Sequence, residues 1–408
     1  MNVAVGLTLA LVGWTLVSAR LERWNITAPM WFVAIGWFMA NRPVQLVEIG
    51  LQSEGLREMA ELTLAVVLFS DAARVNVREL RRDAGLPLRL LLVGLPITIA
   101  LGTVIAHLMF PSLSWWVCAV IGAAVAPTDA ALGAAIIEDE RVPERIRRVL
   151  NVESGLNDGI ATPFVKCFLV AAVVGSALET ESEGSALLAL LIGVGAGVAI
   201  GFGSAWLLQR AQVANWSASA YRPVGVAATA LLAYSAVVEM NGNGFVGAFV
   251  AGLAFGAATR DNLDETLEFT HDVAELASLV VWFMFGAVML PALAHAEWQD
   301  FAFALLALTV VRMAPVALVL IGAKLDLATV GVIGWFGPRG LASVVFALLA
   351  VETLAPDDAV RVATIITATV LSSVVLHGAS AAPISARYSI NERRRQSLPA
   401  TAPAPRRG

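Results

Sequence analysis

The stretch Ile121–Ala130 reads IGAAVAPTDA and places glycine, proline and aspartate inside an otherwise apolar segment. A second apolar segment is interrupted in the same way at Ile333–Gly340, which reads IGWFGPRG. Proline removes a backbone donor and glycine makes unwinding cheap, so both segments are predicted to be broken helices. In a bilayer, unwound backbone is stable only where protein or a watery cavity satisfies its polar groups. If both segments span a membrane, they predict a polar crevice within it.

The amino-acid composition indicates a membrane environment. Of the 408 residues, 58% are hydrophobic and only 14% are charged. A soluble domain of this length carries about a quarter charged residues. Apolar stretches long enough to cross a hydrocarbon core of about 30 Å recur from end to end. The chain is therefore predicted to be an all-α polytopic membrane protein without a separate soluble domain.

Short polar or proline-containing loops divide the chain into about thirteen transmembrane helices. We expect residues 1–385 to form one transmembrane domain, followed by a short, disordered, Arg-rich cytoplasmic tail at 386–408. The predicted helices start near Asn2, Thr27, Leu56, Leu86, Ser114, Glu144, Gly184, Ala218, Gly244, Asp272, Asp300, Leu325 and Asp358.

The positive charges divide into two sets when thirteen helices are counted. With the tail in the cytoplasm, alternate loops carry most of the arginines, as the positive-inside rule requires. The sequence thus predicts a multi-pass protein of the cell (inner) membrane with its N-terminus outside and its C-terminus cytoplasmic. The predicted cytoplasmic loops contain Arg20, Arg23, Arg74, Arg78, Arg81, Arg82, Arg141, Arg145, Arg147, Arg148, Arg210, Arg260 and Lys324, and the opposite loops contain Arg42, Arg57 and Arg361.

The two interrupted segments occupy corresponding places in two groups of three helices. They are the fifth and twelfth helices, in the middle of helices four to six and eleven to thirteen. Interrupted hydrophobic segments at matching positions in two halves are the best sequence indication of an ion site in a transporter. This pattern predicts an inverted repeat; the alternative is two independent proline kinks.

Several ionisable residues fall at membrane depth in this count. Charge within a bilayer costs a few kcal/mol on insertion scales, so such groups usually face a cavity or each other. They predict a functional polar site, and the alternative is a set of structural ion pairs that hold helices together. The residues are Asp71, Asp129, Glu153, Asp158, Lys166, Arg312 and Arg339.

The stretch NVESGLNDGIATP, residues 151–163, holds the densest polar set. Helical residues four apart share a face, so Ser154 and Asp158 form one stripe. Glu153 and Asn157 form the next stripe, rotated by about 100°. The first stripe offers a carboxylate and a hydroxyl to a small alkali cation. The second is suited to receiving an arginine and holding a neighbouring broken helix.

Desolvation connects this site to a reaction. Burial disfavours the charged form of a carboxylate, so a buried aspartate can hold either a proton or a metal cation. Competition for one site that opens alternately to each side is sufficient for antiport. The polar set contains neither a nucleophile–base pair nor a His/Cys metal cluster, so we expect no enzyme, cofactor or nucleic-acid partner.

At these residues the chain resembles the monovalent cation:proton antiporters, specifically the NhaP/NHE branch of sodium/proton antiporters. The resemblance extends from the third predicted helix to the thirteenth and depends on the order and spacing of five motifs. They are LFSDAARV (68–75), APTDAALG (126–133), NVESGLNDGIATP (151–163), GNGFVGAFVAGLAFG (242–256) and GPRGLASVVFAL (337–348).

The resemblance implies an NhaA-like fold that exchanges sodium or lithium for protons by an elevator motion. It implies a six-helix core at about 86–178 and 298–378, with the remaining helices forming a scaffold and a homodimer interface. The Asn157–Asp158 pair resembles the electroneutral branch, with one cation per proton. The implied cation and proton ligands are Asp129, Asp158, Ser154, the Thr128 carbonyl and Asp71, with Na+ on Asp129 and Asp158. The implied supporting network is Glu153 and Asn157 with Arg339, or with Arg312.

Two alternatives stay open at the level of sequence. A potassium/proton antiporter of the same fold would use the same oxygen ligands, because all these ions are hard cations. An ion channel or membrane sensor would use the buried carboxylates to gate or stabilise the bundle. Besides the ions, membrane lipid is the expected partner.

Overall fold

The computed structural model of the chain describes residues 3–40, 54–75, 85–129, 132–137, 139, 142–174, 180–259 and 264–397. Within these ranges the regular structure is helical and contains no β-strand. The predicted loop residues Arg42, Arg78, Arg81, Arg82, Arg141 and Arg260 lie outside the described residues.

Fifteen helices are labelled in the described ranges, two pairs of them belonging to the interrupted segments. They are α1 (Val3–Glu22), α2 (Ala28–Ala40), α3 (Glu54–Arg74), α4 (Gly85–Met109), α5 (Trp115–Ala124), α6 (Ala134–Ile137), α7 (Glu144–Val174), α8 (Thr180–Val213), α9 (Arg222–Glu239), α10 (Gly244–Ala258), α11 (Asp264–Met284), α12 (Trp298–Val319), α13 (Leu327–Trp335), α14 (Leu341–Thr353) and α15 (Pro356–Ser397).

Eight of the described helices are long and apolar enough to cross a membrane, and four shorter helices are also apolar. The chain is therefore an all-helical, multi-pass membrane protein. Most predicted helix starts agree with the structure within a few residues. The clearest difference is α11, which begins at Asp264 instead of Asp272 because its first two turns are polar and lie outside the apolar window. The last helix also continues to Ser397, beyond the predicted boundary at 386.

Both predicted interruptions are present, and they contact each other. Helix α5 ends at Ala124 and is followed by non-helical backbone through Asp129. Helix α13 ends at Trp335, and α14 begins at Leu341 after a break of five residues. The backbone N–H of Asp129 donates to the Pro338 carbonyl at 2.8 Å. Unwound backbone in each segment is thus partly satisfied by the other, as a bilayer interior requires.

The glycine-rich helix α10 brings α3 close to the centre of the bundle. A Cβ on Gly252 would collide with the Phe69 backbone of α3, and a Cβ on Gly256 would collide with that of Ala73. Small residues allow helix backbones to approach closely in membranes. This approach positions the C-terminal part of α3, which carries Asp71, next to α7.

Two side-chain contacts join helix ends that are distant in the sequence. Arg57 at the start of α3 forms an ion pair with Glu352 at the end of α14. The Tyr388 hydroxyl near the end of α15 lies 2.8 Å from Thr329 Oγ1 near the start of α13. Each contact joins two helix ends that the predicted topology places on the same side of the membrane.

Candidate functional site

Helix α7 carries both predicted stripes, and all four of their side chains are buried. The exposed fractions are 3% for Glu153, 5% for Ser154, 2% for Asn157 and 9% for Asp158. Burial of four polar side chains on one helix requires partners from other helices. The partners come from the first interrupted segment and from α12.

The stripe of Ser154 and Asp158 faces the first break. Ser154 Oγ lies 3.1 Å from the hydroxyl oxygen of Thr128, which is itself buried. Asp158 Oδ1 is buried and has no hydrogen-bond partner among the described residues. A buried carboxylate oxygen without a donor is available to a proton or to a cation.

Both residues of the second stripe, Glu153 and Asn157, form hydrogen bonds with other helices or with the first break. Arg312 of α12 donates to the two carboxylate oxygens of Glu153, at 2.5 Å from Nη1 and 2.9 Å from Nη2. Its Nη2 also lies 3.4 Å from the Ile333 carbonyl near the end of α13. Asn157 Nδ2 donates to Thr128 Oγ1 at 2.6 Å. Glu153 thus holds the second break through Arg312, while Asn157 holds the first break directly.

Of the two arginines considered for Glu153, Arg312 forms the ion pair. Arg339 is fully buried and instead donates to backbone carbonyls. Its Nη1 is 2.9 Å from the Ala126 carbonyl and 3.1 Å from that of Pro127, and its Nη2 is 3.3 Å from that of Ala307. These first two carbonyls follow the C-terminal end of α5, where a helix carries partial negative charge. Arg339 therefore holds the two breaks together.

Asp129 connects the first break to the second. Its Oδ1 accepts from the Leu132 N–H and its Oδ2 from the Leu341 N–H, both at 3.0 Å. Leu341 is the first residue of α14, so the carboxylate lies at the positive end of that helix, where an anion is stabilised. Gly340 allows this close contact, since a Cβ there would overlap the Asp129 carboxylate and displace it.

Three carboxylates converge on α7. Asp129 and Asp71 both act electrostatically on Asp158. Asp71 is half-buried and packs against Gly155: a Cβ on that glycine would lie 3.4 Å from the Asp71 Cβ. Gly155 and Asp158 are three residues apart and share a helix face. The structure therefore brings Asp71, Asp129 and Asp158 into one crevice, together with Ser154 and Thr128.

This crevice offers oxygen ligands, the kind that hard cations prefer. The carboxylates of Asp71, Asp129 and Asp158 and the hydroxyls of Ser154 and Thr128 contribute to it, and within the described part of the chain these carboxylates are not gathered tightly enough to form a metal cluster. Because the carboxylates repel one another, at least one of them gains from binding a cation or a proton. The arrangement can hold one small cation or, in its place, a proton.

Three buried polar residues at the breaks were not singled out in the sequence as site residues. Ser343 Oγ donates to the Ala124 carbonyl at 2.7 Å, and Ser373 Oγ accepts from the Arg339 N–H at 2.6 Å. His377 follows Ser373 by one helical turn. No signal in the local sequence separates Ser373 and His377 from the rest of the helix, because α15 also carries other polar residues such as Thr367, Thr369 and Ser372.

Comparison with known sequences places the chain among membrane exchangers. Residues 6–387 match the family described as "Sodium/hydrogen exchanger, transmembrane". The K(+)/H(+) antiporter NhaP of Alkalimonas amylolytica is 25% identical over 333 residues, covering 80% of this chain and 56% of that protein. The K(+)/H(+) antiporter NhaP2 of Shewanella sp. (strain MR-4) is 25% identical over 234 residues, covering 57% of this chain and 40% of that protein. The Na(+)/H(+) antiporter of Schizosaccharomyces pombe (strain 972) is 26% identical over 320 residues, covering 67% and 65%.

This chain therefore spans about half the length of the curated relatives that it matches. Among solved structures, it is similar to the sodium proton antiporter MjNhaP1 from Methanocaldococcus jannaschii. The TM-score is 0.73 at 21% identity, over 94% of this chain and 97% of that chain. The fold is thus shared across nearly the whole chain. Because the family match also extends over nearly all of it, the chain belongs to the sodium/hydrogen exchanger family.

Proposed function

We propose that this protein is a monovalent cation/proton antiporter that exchanges sodium or lithium for protons. Family membership makes it a transporter and not an enzyme. The observation that carries the proposal is the buried Asp158 carboxylate, whose Oδ1 has no donor among the described residues and which faces two further aspartates. A group in that position is stabilised by either a proton or a cation, so the two compete.

In the proposed mechanism Asp158 is the exchanging group. When the crevice opens to one side, a cation displaces the proton and is held by Asp158, Ser154, the Thr128 carbonyl and Asp71. Asp129 adds negative charge while its two backbone contacts keep the breaks in register. Only one titrating carboxylate changes its occupant per cycle, so we assign an electroneutral exchange of one cation per proton.

An elevator motion fits the way the breaks are joined. The two breaks are connected by the Asp129 N–H bond to Pro338, by Arg339 and by Ser343, so they move as one body. We assign this body to a six-helix core at residues 86–178 and 298–378, an inverted repeat of three helices each. The remaining helices of a thirteen-span domain would form the scaffold and a homodimer interface.

We assign the N-terminus to the outside of the cell membrane and the C-terminus to the cytoplasm. The direction rests on the distribution of positive charge, and the two end contacts agree with the alternation of helix ends in this topology. Arg57–Glu352 joins ends predicted outside, and Tyr388–Thr329 joins ends predicted inside.

Potassium is the second candidate substrate. It is favoured by two of the relatives above, which are named K(+)/H(+) antiporters. The oxygen ligands of the crevice suit either ion, so direct measurement has to separate them.

The test is ion exchange by the purified full chain in liposomes that contain a pH-sensitive dye. We expect sodium and lithium each to drive proton movement in the opposite direction, without net current. If only potassium drove proton movement, potassium and not sodium would be the substrate. Current through the protein, or proton movement without an opposing cation, would contradict antiport and favour a channel.

A further inference from the structure

A buried histidine contacts the second break away from the cation crevice. His377 lies within α15, and only 1% of it is exposed. The helix continues for twenty residues beyond His377, to Ser397. The His377 ring lies against that of Trp335, the last residue of α13, with centroids 4.9 Å apart.

Both ring nitrogens of His377 face hydrogen-bond partners. Nε2 is 2.9 Å from the Trp335 carbonyl, and Nδ1 is 3.1 Å from Ser373 Oγ. The Trp335 carbonyl can only accept, so Nε2 carries the hydrogen and donates to it. In a neutral imidazole Nδ1 then accepts from the Ser373 hydroxyl, whose oxygen also accepts the Arg339 N–H at 2.6 Å. Nδ1 also lies 3.1 Å from the Ser373 carbonyl, the other oxygen near it.

These bonds attach α15 to backbone groups at both ends of the break. Trp335 ends α13, and its carbonyl accepts from the Gly337 N–H at 2.8 Å as well as from His377. The Arg339 N–H lies within non-helical backbone. Ser373 and His377, here called the α15 clasp, satisfy one group at each end of the break.

The clasp acts on the cation crevice through Asp129. The Pro338 carbonyl accepts the Asp129 N–H, and the Leu341 N–H donates to the Asp129 carboxylate. Pro338 and Leu341 lie on either side of Arg339 in the chain. A shift of the backbone between Trp335 and Arg339 would therefore displace Asp129. The charged groups acting on His377 are Arg339 and Arg312, both cations.

We propose that His377 is a positioning residue: as a neutral imidazole with Ser373, it fixes the second break and so sets the affinity of the crevice for its cation. It does not carry the transported proton. This proposal rests on the proposed antiport function only for its transport readout, and its structural readout is independent of transport.

Three substitutions of His377 distinguish the contributions of its two ring nitrogens. The amide nitrogen of glutamine takes the place of Nε2, so His377→Gln keeps the bond to the Trp335 carbonyl. The shorter asparagine in His377→Asn reaches only Ser373, and His377→Leu keeps neither bond. Loss of a buried hydrogen-bond partner is expected to raise the half-saturating sodium concentration about tenfold in the Leu and Asn variants, with the Gln variant near wild type.

The second readout is amide hydrogen exchange of the peptide that spans residues 335–341 in the full chain in detergent. We expect faster exchange in His377→Leu and in Ser373→Ala, and near wild-type exchange in His377→Gln. A peptide from the middle of α10 provides the control and should not change. Ser373→Ala tests the clasp even if the Leu variant does not fold.

Normal sodium affinity together with normal amide hydrogen exchange of residues 335–341 in His377→Leu would overturn the proposal. A Gln variant as impaired as the Leu variant would also overturn it, since only a group that carries a proton requires the imidazole itself. If the wild-type protein transported no cation, the antiport proposal would fail. Faster amide hydrogen exchange of residues 335–341 in His377→Leu and Ser373→Ala would still establish the clasp.

Discussion

The break after α5 ends in a half-buried carboxylate, whereas the break after α13 contains a fully buried guanidinium group. Asp129 of the first break lies in the crevice with two other aspartates. Arg339 of the second break is 0% exposed and contacts backbone carbonyls. Each break is a short non-helical interval in an apolar span, yet only the first offers side chains to a cation.

The partners of the two breaks differ in the same way. The α7 side chains that hold the first break are neutral, since Thr128 contacts Ser154 and Asn157. The second break is held by Arg312 and by the α15 clasp. In the first break Arg339 contacts only backbone carbonyls, so it does not pair with the Asp129 carboxylate. This difference supports the proposal that the first break binds the substrate and the second positions it, and substitutions can test each half.

Asp158→Asn should have the largest effect on transport. The amide keeps the shape of the side chain but cannot exchange a proton for a cation, so exchange in liposomes should fall to the background level. Thermal unfolding in detergent should not occur at a lower temperature, because a buried carboxylate is costly to desolvate. The control is Asp357→Asn on the exposed start of α15, which should exchange normally. Normal transport by the Asp158 variant would remove it from the site.

Glu153→Gln should reduce stability together with activity. The substitution leaves Arg312 buried without an anion, and breaking a buried ion pair in this way costs about 3–5 kcal/mol. Thermal melting in detergent should therefore occur at a clearly lower temperature, and adding Arg312→Met should restore part of the loss. Glu144→Gln is the matched control on the same helix, because its pair with Arg148 is largely exposed. Unchanged melting of the Glu153 variant would contradict its positioning role.

Thr128→Val should weaken the attachment of the first break to α7. Valine has the same shape as threonine but leaves the Asn157 amide without its acceptor, at a cost of about 1–3 kcal/mol. The half-saturating sodium concentration should increase, while Thr128→Ser, which keeps the hydroxyl, should remain near wild type. Equal transport by the two variants would show that the hydroxyl contacts do not position the crevice.

Gly340→Ala should produce the smallest of these changes. The added Cβ overlaps the Asp129 carboxylate, and relieving such overpacking costs about 1 kcal/mol or more, which corresponds to about a fivefold increase in half-saturating sodium. Gly331→Ala on α13 is the control, since no atom lies within 4 Å of a Cβ there. If the two variants behaved alike, the contact between Asp129 and the second break would be unimportant for transport.

Local sequence predicted much of the helical framework and the burial of the polar set. Helix α7 begins at the predicted Glu144, and its two stripes follow from helical periodicity alone. The start of α11 was placed late, because hydropathy locates the apolar part of a helix and not its polar first turns. Ser373 and His377 were missed as site residues, since nothing local distinguishes them from other polar groups in an apolar helix.

The partners of the polar residues could not be predicted in the same way. Two arginines were equally suited to Glu153, and only the packing of α12 against α7 selects Arg312. Asn157 was expected to contribute to an arginine network, yet it donates to Thr128. Partners that lie far apart in the chain depend on how the helices pack, which pattern and spacing do not specify.

The sequence by itself determined that the chain is a polytopic membrane protein with two interrupted spans and a polar set at membrane depth. Those properties depend on local composition, because apolar segments partition into lipid and proline and glycine break helices wherever they occur. Only the tertiary structure decided that the two breaks satisfy each other, that Asp71 and Asp158 lie near Asp129 of the first break and that the second break is clasped by α15. These are contacts between residues more than 30 positions apart, and they form only when all the helices are packed together.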